Sequence, residues 1–343
     1  MRLLVYFLFF VITHTAFAQT DARSHIERGI EQYDAGQYQE ALASYSQALA
    51  AEPNSAFAHY EIALTYLELK EYAKAERYAK RAVKLDPQGS TGLQAYVLWG
   101  TSLSEQGKVK KAVKTYQRGI DGGLDHYLLP FNQGVAYIRL NKPEKAQRAY
   151  RQALTLNPLH PSSHYSLAYL ADATNERFPA ILGSYFYLLL ENDREPRNVD
   201  MLRVIEGQLF RGIQRRDSLG GLHIAIAAGT LLDDNPWTGA ELLLSLGVGS
   251  QLRLADSLDL SPVDRLILHT EYVFGLLPEV SPEQLDAPTA FYVDFFGALH
   301  DTEHVATLVR YALSNINDDA RQWTEAHPDE VAALLDWANA YLE

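Results

Sequence analysis

Four alanines, Ala41, Ala75, Ala112 and Ala146, stand at steps of 34, 37 and 34 residues. A period of that length is the mark of a stacked helix-turn-helix unit. Such a unit is too small to bury its own apolar stripe, so it is stable only against neighbouring copies. The expected product is an α-solenoid: an all-α scaffold suited to holding a partner.

Other landmarks keep the same phase. Repeat 1, about 22–55, carries Gly29, Tyr38, Tyr45, Ala48 and Pro53; repeat 2, about 56–89, carries Ala63, Tyr66, Tyr72, Ala82 and Pro87. Ser90-Thr91-Gly92 reads as an insertion that lengthens one step. Repeat 3, 93–126, has Gly100, Gly107 and Tyr116, with Leu124 where a closing proline is expected; repeat 4, 127–160, has Gly134, Tyr150, Ala153 and Pro158. A degenerate fifth copy, 161–196, fits at Leu167, Ala168 and Ala180. Gly29, Ala63, Gly100 and Gly134 are expected to let the first helix approach the second closely, with the alanine ladder as the matching small position and large aromatics filling the wider gaps. Prolines end the second helices because they lack a donor and restrict the preceding residue.

These residues resemble the tetratricopeptide repeat, and the resemblance implies a concave face lined by the first helices. Carried over position by position, the groove holds Ile26, Ile30 and Tyr33 from repeat 1, and Phe57, Tyr60, Leu64 and Leu67 from repeat 2. Repeat 3 adds Val97, Thr101, Ser104 and Glu105; repeat 4 adds Leu128, Phe131, Val135, Ile138 and Arg139. Ile26 and Ile30 fall where the carboxylate-clamping subtype places a lysine and an asparagine, so that subtype is rejected. An apolar groove suits an amphipathic helix or a hydrophobic peptide. The occupant is either a protein partner or the chain's own C-terminal domain.

A second surface is basic. Lys74, Arg77, Lys80 and Arg81 lie on the second helix of repeat 2, Lys110, Lys111, Lys114 and Arg118 on that of repeat 3, and Lys142, Lys145, Arg148 and Arg151 in repeat 4. Their spacing at i, i+3 and i+4 places them on one face of each helix. Two readings apply: a solvated face balanced by nearby acids, or a ridge for an anionic envelope component or for the chain's own acidic half.

Charge also divides the chain. Residues 19–196 carry 20 basic and 20 acidic residues, whereas 197–343 carry 9 basic, all arginine, and 23 acidic. The shift suggests a boundary near Glu195-Pro196, between a solenoid over 22–196 and an acidic, mostly helical domain over 197–343. That acidity argues against nucleic acid as a partner. The C-terminal part resembles the extension of exported bacterial tetratricopeptide proteins. Helices are expected over 179–190, 199–216, 235–246, 261–276, 289–299, 303–315 and 329–342, with a short strand near 222–228.

The first residues read as a secretory signal ending at Ala18: a basic Arg2, an apolar run from Leu3 to Ile12, then Ala16-Phe17-Ala18. An exported protein, periplasmic or secreted, is expected, with no transmembrane segment after signal removal. The chain has no cysteine, which excludes thiolate chemistry and disulfides.

One stretch resembles a catalytic motif. His300, Glu303 and His304 match H-x-x-E-H, in which one helix places two imidazoles and a glutamate base at a zinc ion. The third ligand of that family lies some seventy or more residues further on, beyond the sequence given, and Asp301-Thr302 reads as a helix start. A zinc hydrolase is therefore the remote alternative. The leading expectation is a non-enzymatic interaction scaffold of the bacterial cell envelope with no cofactor; the alternative is an anion-binding envelope component.

Overall fold

The computed structural model describes residues 21–192, 196–216, 221–224, 236–280 and 282–343. The expected signal segment, 1–18, lies outside them. Among the described residues the chain is all-α apart from one short hairpin, and it divides into two compact units, up to Leu156 and from Asn157 onward.

The first unit is four helix pairs. Helix α1 covers 21–34 and α2 Tyr38–Ala51; α3 (Ala56–Glu68) pairs with α4 (Tyr72–Leu85), α5 (Ser90–Glu105) with α6 (Val109–Asp121), and α7 (Leu128–Arg139) with α8 (Pro143–Leu156). The four ladder alanines are fully buried. Each first helix ends on a left-handed residue at the same repeat position: Gly36, Lys70, Gly107 and Asn141, with φ of 74°, 58°, 75° and 53°. Glycine and asparagine tolerate this conformation; Lys70 adopts it against its Cβ.

Helix pairing obeys a size rule that differs from the expected alanine-to-glycine match. A Cβ on Gly29 would lie 2.4 Å from the Tyr45 ring, one on Gly100 2.2 Å from Tyr116, and one on Gly134 2.5 Å from Tyr150. The glycines are therefore sockets for tyrosines one helix later. In repeat 2 the same two positions hold Ala63 and Ala79, both buried. Two medium residues replace a small and a large one.

The Ser90-Thr91-Gly92 insertion is helical. These residues form the first turn of α5, which runs 16 residues. Asp86 holds that turn: its carboxylate accepts from Gly89 N at 2.9 Å and Gly92 N at 3.2 Å. A Cβ on Gly92 would collide with the Asp86 carbonyl oxygen at 1.6 Å, so the residue must be glycine. Leu124, standing where a proline was expected, is buried in the core.

The second unit opens with α9 (Pro161–Ala173) and α10 (Arg177–Leu190). They keep the repeat phase: Asn175 between them has φ 62°, and Ala168 and Ala180 are fully buried. Yet α10 is buried along nearly its whole length, and a helix apolar on every face belongs in a core. It packs on α9, α11 (Arg197–Leu209), α14 (Ala287–His300) and α15 (Val305–Leu313). The division between units therefore falls before this pair, ahead of the charge shift near residue 196.

The rest of the second unit is β1 (Ile213–Arg216) antiparallel to β2 (Gly221–Ile224), then α12 (Thr238–Ser257), α13 (Pro262–Gly275), α16 (Asp318–Ala326) and α17 (Pro328–Leu342). The expected helix over 199–216 stops at Leu209 and its end is β1, because Gly212 takes φ 79° and turns the chain. The expected strand near 222–228 is β2 as far as Ile224; its remainder lies outside the described residues. Helix α12 runs to Ser257 rather than 246, carrying Gly247 and Gly249 in its interior, and α16 was not expected. Within this core Arg177 is buried. It donates to the Gln208 and Leu209 carbonyls at 2.6 and 2.7 Å and to Ser245 Oγ at 2.9 Å. The cation thus satisfies the last carbonyls of α11 and meets the negative end of its dipole.

Candidate functional site

The two rows of helices in the first unit are not equivalent. Helix α3 packs on α5 and α5 on α7, whereas α4, α6 and α8 make at most slight contact with each other. The row whose members approach more closely is the inside of the curve. The first helices therefore form the inner row and the second helices the outer.

All twelve apolar groove positions lie on first helices, and none is fully buried. Phe57 is 40% exposed and Ile138 43%. Phe57 stacks on Tyr60 at 6.1 Å between centroids. Tyr60, Leu64 and Leu67 rest on the core formed by Ala63, Ala79 and Leu98, while Ile30 and Tyr33 rest on Ala41, Tyr45 and Ile62. These side chains are rooted in the core and leave part of their apolar surface uncovered.

Between repeats 3 and 4 the inner row turns polar. Arg139 donates to Glu105 Oε1 at 2.6 Å and to Ser104 Oγ at 3.0 Å, and Tyr116 Oη lies 3.3 Å from Thr101 Oγ1. This clasp joins the C-terminal ends of α5 and α7, while Val97, one repeat on from Tyr60 and one before Phe131, keeps the N-terminal half of the row apolar.

Sequence reasoning missed Glu61. It is 7% exposed, and Tyr45 Oη donates to its Oε2 at 3.4 Å. Burial raises its pKa to about 7; the Tyr45 hydrogen bond opposes this and Asp34 adds to it. The available signal was a lone acid inside the apolar run Tyr60-Glu61-Ile62-Ala63.

The outer row carries the basic positions. Lys74, Arg77, Lys80, Arg81, Lys111, Lys114, Arg118, Lys145 and Arg148 are exposed, and Arg151 is half-buried. Lys74 pairs with Glu71 and Arg81 donates to Asn54 Oδ1 at 2.7 Å. Several cations lie over rings instead of beside acids. Lys80 and Arg118 approach Trp99 at 5.7 and 6.0 Å, Arg77 approaches Tyr78 at 4.9 Å, and Lys145 approaches Tyr137 at 5.9 Å.

The H-x-x-E-H arrangement is not formed on one helix. His300 ends α14, residues 301–304 lie between helices, and His304 caps α15. Thr302 holds that break by donating to Leu299 O at 2.6 Å and accepting from His304 N at 3.1 Å. His304 packs on Trp337, while His300 lines a cavity of about 320 Å³ with Phe274, Leu277 and Asp294. Among the described residues no group of three or more His, Asp or Glu side chains is placed to hold a metal ion. His25, His59 and His164 share a repeat position, and His164 is buried. Its Nδ1 accepts from Tyr292 Oη at 2.5 Å and its Nε2 donates to Pro158 O at 2.7 Å.

A scaffold of tetratricopeptide repeats is what this geometry describes. Family models described as "Tetratricopeptide repeat" match residues 26–90 and 131–160, so the chain carries these repeats. It is similar to the type IV pilus assembly protein PilF of Pseudomonas aeruginosa, 27% identical over 163 residues, covering 46% of this chain and 62% of that protein. It is also 27% identical over 143 residues to the protein O-mannosyl-transferase TMTC3 of Homo sapiens, covering 38% of this chain and 16% of that one. The chain thus spans less than two thirds of either relative. Among solved structures, that of PilF has a TM-score of 0.48 at 18% identity, covering 57% of this chain and 91% of that one; MamA has 0.42 at 21%, covering 48% and 94%. No described helix is long and apolar enough to cross a membrane.

Proposed function

We propose that the first unit is a non-enzymatic protein-interaction scaffold that holds an amphipathic helix or apolar peptide segment along its inner row. Tetratricopeptide repeats are protein-binding modules, and the matched models support that class. The observation carrying the finer reading is the run of core-rooted, half-exposed apolar side chains on α1, α3, α5 and α7. The place of action in this proposal is the bacterial envelope after export. The N-terminal signal pattern supports it, and so does the likeness to a pilus assembly protein.

A photo-crosslinking residue at Phe57 tests the groove in envelope extract. Crosslinked proteins identified by mass spectrometry should disappear in a chain that also carries Tyr60→Ala and Phe131→Ala, with helical circular dichroism unchanged. Capture that persists in that variant would sink the reading. A second reading, an anion-binding outer row, is favoured by the cations there that lack acidic partners. It predicts capture that falls steeply with salt and survives the groove substitutions.

A further inference from the structure

The outer row is more ordered than a basic surface needs to be. Lys74, Lys111 and Lys145 each stand one residue before a ladder alanine, and Arg77, Lys114 and Arg148 each stand two residues after one. Each helix of the row therefore presents one cation from each column, three residues apart and on one face. All six are exposed; Lys74 pairs with Glu71, and among the described residues the other five have no carboxylate within 4 Å. The helices α4, α6 and α8 together hold twelve basic and three acidic residues, a net charge of +9. One of the three acids, Glu76, is already engaged by Lys108 at 3.1 Å. The face is therefore not balanced by acids of its own repeats.

The complementary surface is on the same chain. Residues 318–343, which contain α16 and α17, hold seven acidic residues and one basic residue, Arg321, a net charge of −6 with histidine neutral. Arg321 is engaged by Asp318 at 2.9 Å. Asp319, Glu325, Asp329, Glu330 and Asp336 are exposed, and no cation among the described residues lies within 4 Å of them. Two unlike surfaces of one polypeptide, each lacking counter-charge, satisfy each other when molecules meet head to tail.

We propose that the outer row of one molecule binds the α16–α17 surface of a second copy. This rests on the reading of the outer row as an anion-binding surface. The contact is heterologous, so each molecule keeps one unused surface of each kind and assembly continues into a ring or a filament. Its driving force is Coulombic and exposed, so it weakens as ionic strength rises.

Sedimentation of the full chain over a concentration series tests this, at about 50 mM and about 500 mM sodium chloride, where screening differs several-fold in strength. The expected result is a mass that rises with concentration at low salt and stays monomeric at high salt. Arg77→Glu, Lys80→Glu, Lys114→Glu and Arg148→Glu together should hold the chain monomeric at both salts. So should Asp319→Lys, Glu325→Lys, Asp329→Lys and Glu330→Lys together. Mixing the two monomeric variants should restore association, because one supplies an intact acidic surface and the other an intact basic row. A monomer at every concentration in low salt overturns the proposal, as does association that survives both sets of reversals, or a salt-dependent compaction at constant monomer mass. Binding of each protein to immobilised polyglutamate separates the two ideas. Wild type that binds polyglutamate through the outer row but never self-associates keeps the anion-binding reading and loses this one. Wild type that does neither loses both.

Discussion

The ring of Tyr116 occupies the space that a Cβ on Gly100 would need, 2.2 Å from its nearest carbon. Tyr116 is 2% exposed, so the ring cannot swing into solvent to make room. Gly100→Ala sets two effects against each other. Alanine favours the helix by about 1 kcal/mol, while overpacking a rigid core costs about 1–3 kcal/mol. With a ring this close and this buried packing wins, and a net loss of up to about 2 kcal/mol is expected in urea denaturation followed through Trp99. Gly297→Ala is the control: it is also helical, but nothing lies within 4 Å of the added methyl, and a gain of about 0.5–1 kcal/mol is expected.

Glu61 gives the first unit an unusual pH dependence. Its folded pKa, about 7, is above that of an unfolded glutamate, so the fold favours the protonated form. The associated stability is fully present below the unfolded value and is lost as pH rises through 7. Glu61→Gln should therefore leave stability nearly unchanged at pH 4 and raise it at pH 8, by at most about 3 kcal/mol. Hydrogen exchange at α3 and α4 at the two pH values measures this; a variant that is equally stabilised at both contradicts it.

The second unit should respond in the opposite sense. Burial lowers His164 to about 4, and His269, whose ring nitrogens are both buried without partners, to about 4 as well. An unfolded histidine binds its proton near pH 6.5, so the unfolded chain takes up protons that the folded unit refuses. Stability is full above that value and declines as pH falls from 6.5 to 4. Near-ultraviolet melting of the full chain should show the second unit's transition moving down over this window, with a smaller slope in His164→Gln.

Arg177 is a single residue on which the end of α11 depends. Replacing it with leucine keeps apolar bulk but leaves the Gln208 and Leu209 carbonyls without donors in a buried site. Two unsatisfied acceptors should cost about 2–4 kcal/mol together. Arg177→Lys should recover only part, because one ammonium cannot reproduce the planar fork that reaches two carbonyls and Ser245. Thermal denaturation of the three proteins ranks them.

The repeat phase was legible because it is a packing rule written in residue size. Gly29, Ala63, Gly100 and Gly134 announce close approach wherever the chain repeats it. Which residue fills each socket was not legible, since Ala112 and Tyr116 lie on neighbouring turns of one helix and only geometry separates them. The first unit's apolar positions were placed on first helices by carrying over the pattern of the repeat they resemble. The buried Glu61 and the Arg139–Glu105 clasp could not be placed that way, because a charged residue on a helix gives no sign of its depth or of a partner 34 residues away. The charge shift near residue 196 and the compact units mark different borders, because surface composition follows solvent exposure whereas compact units follow burial, and α10 is buried on all sides.

The tyrosine sockets also bear on how the chain avoids folding wrongly. Four similar hairpins in one polypeptide invite exchange of partners, each first helix trying the second helix of a neighbour. Repeat 2 breaks the equivalence. Ala79 set against Gly29 would leave a hole, and Tyr45 set against Ala63 would clash with its methyl. An alanine pair between glycine–tyrosine pairs thus works as a key cut differently from those beside it, and volume opposes exchange of helices between repeat 2 and either neighbour.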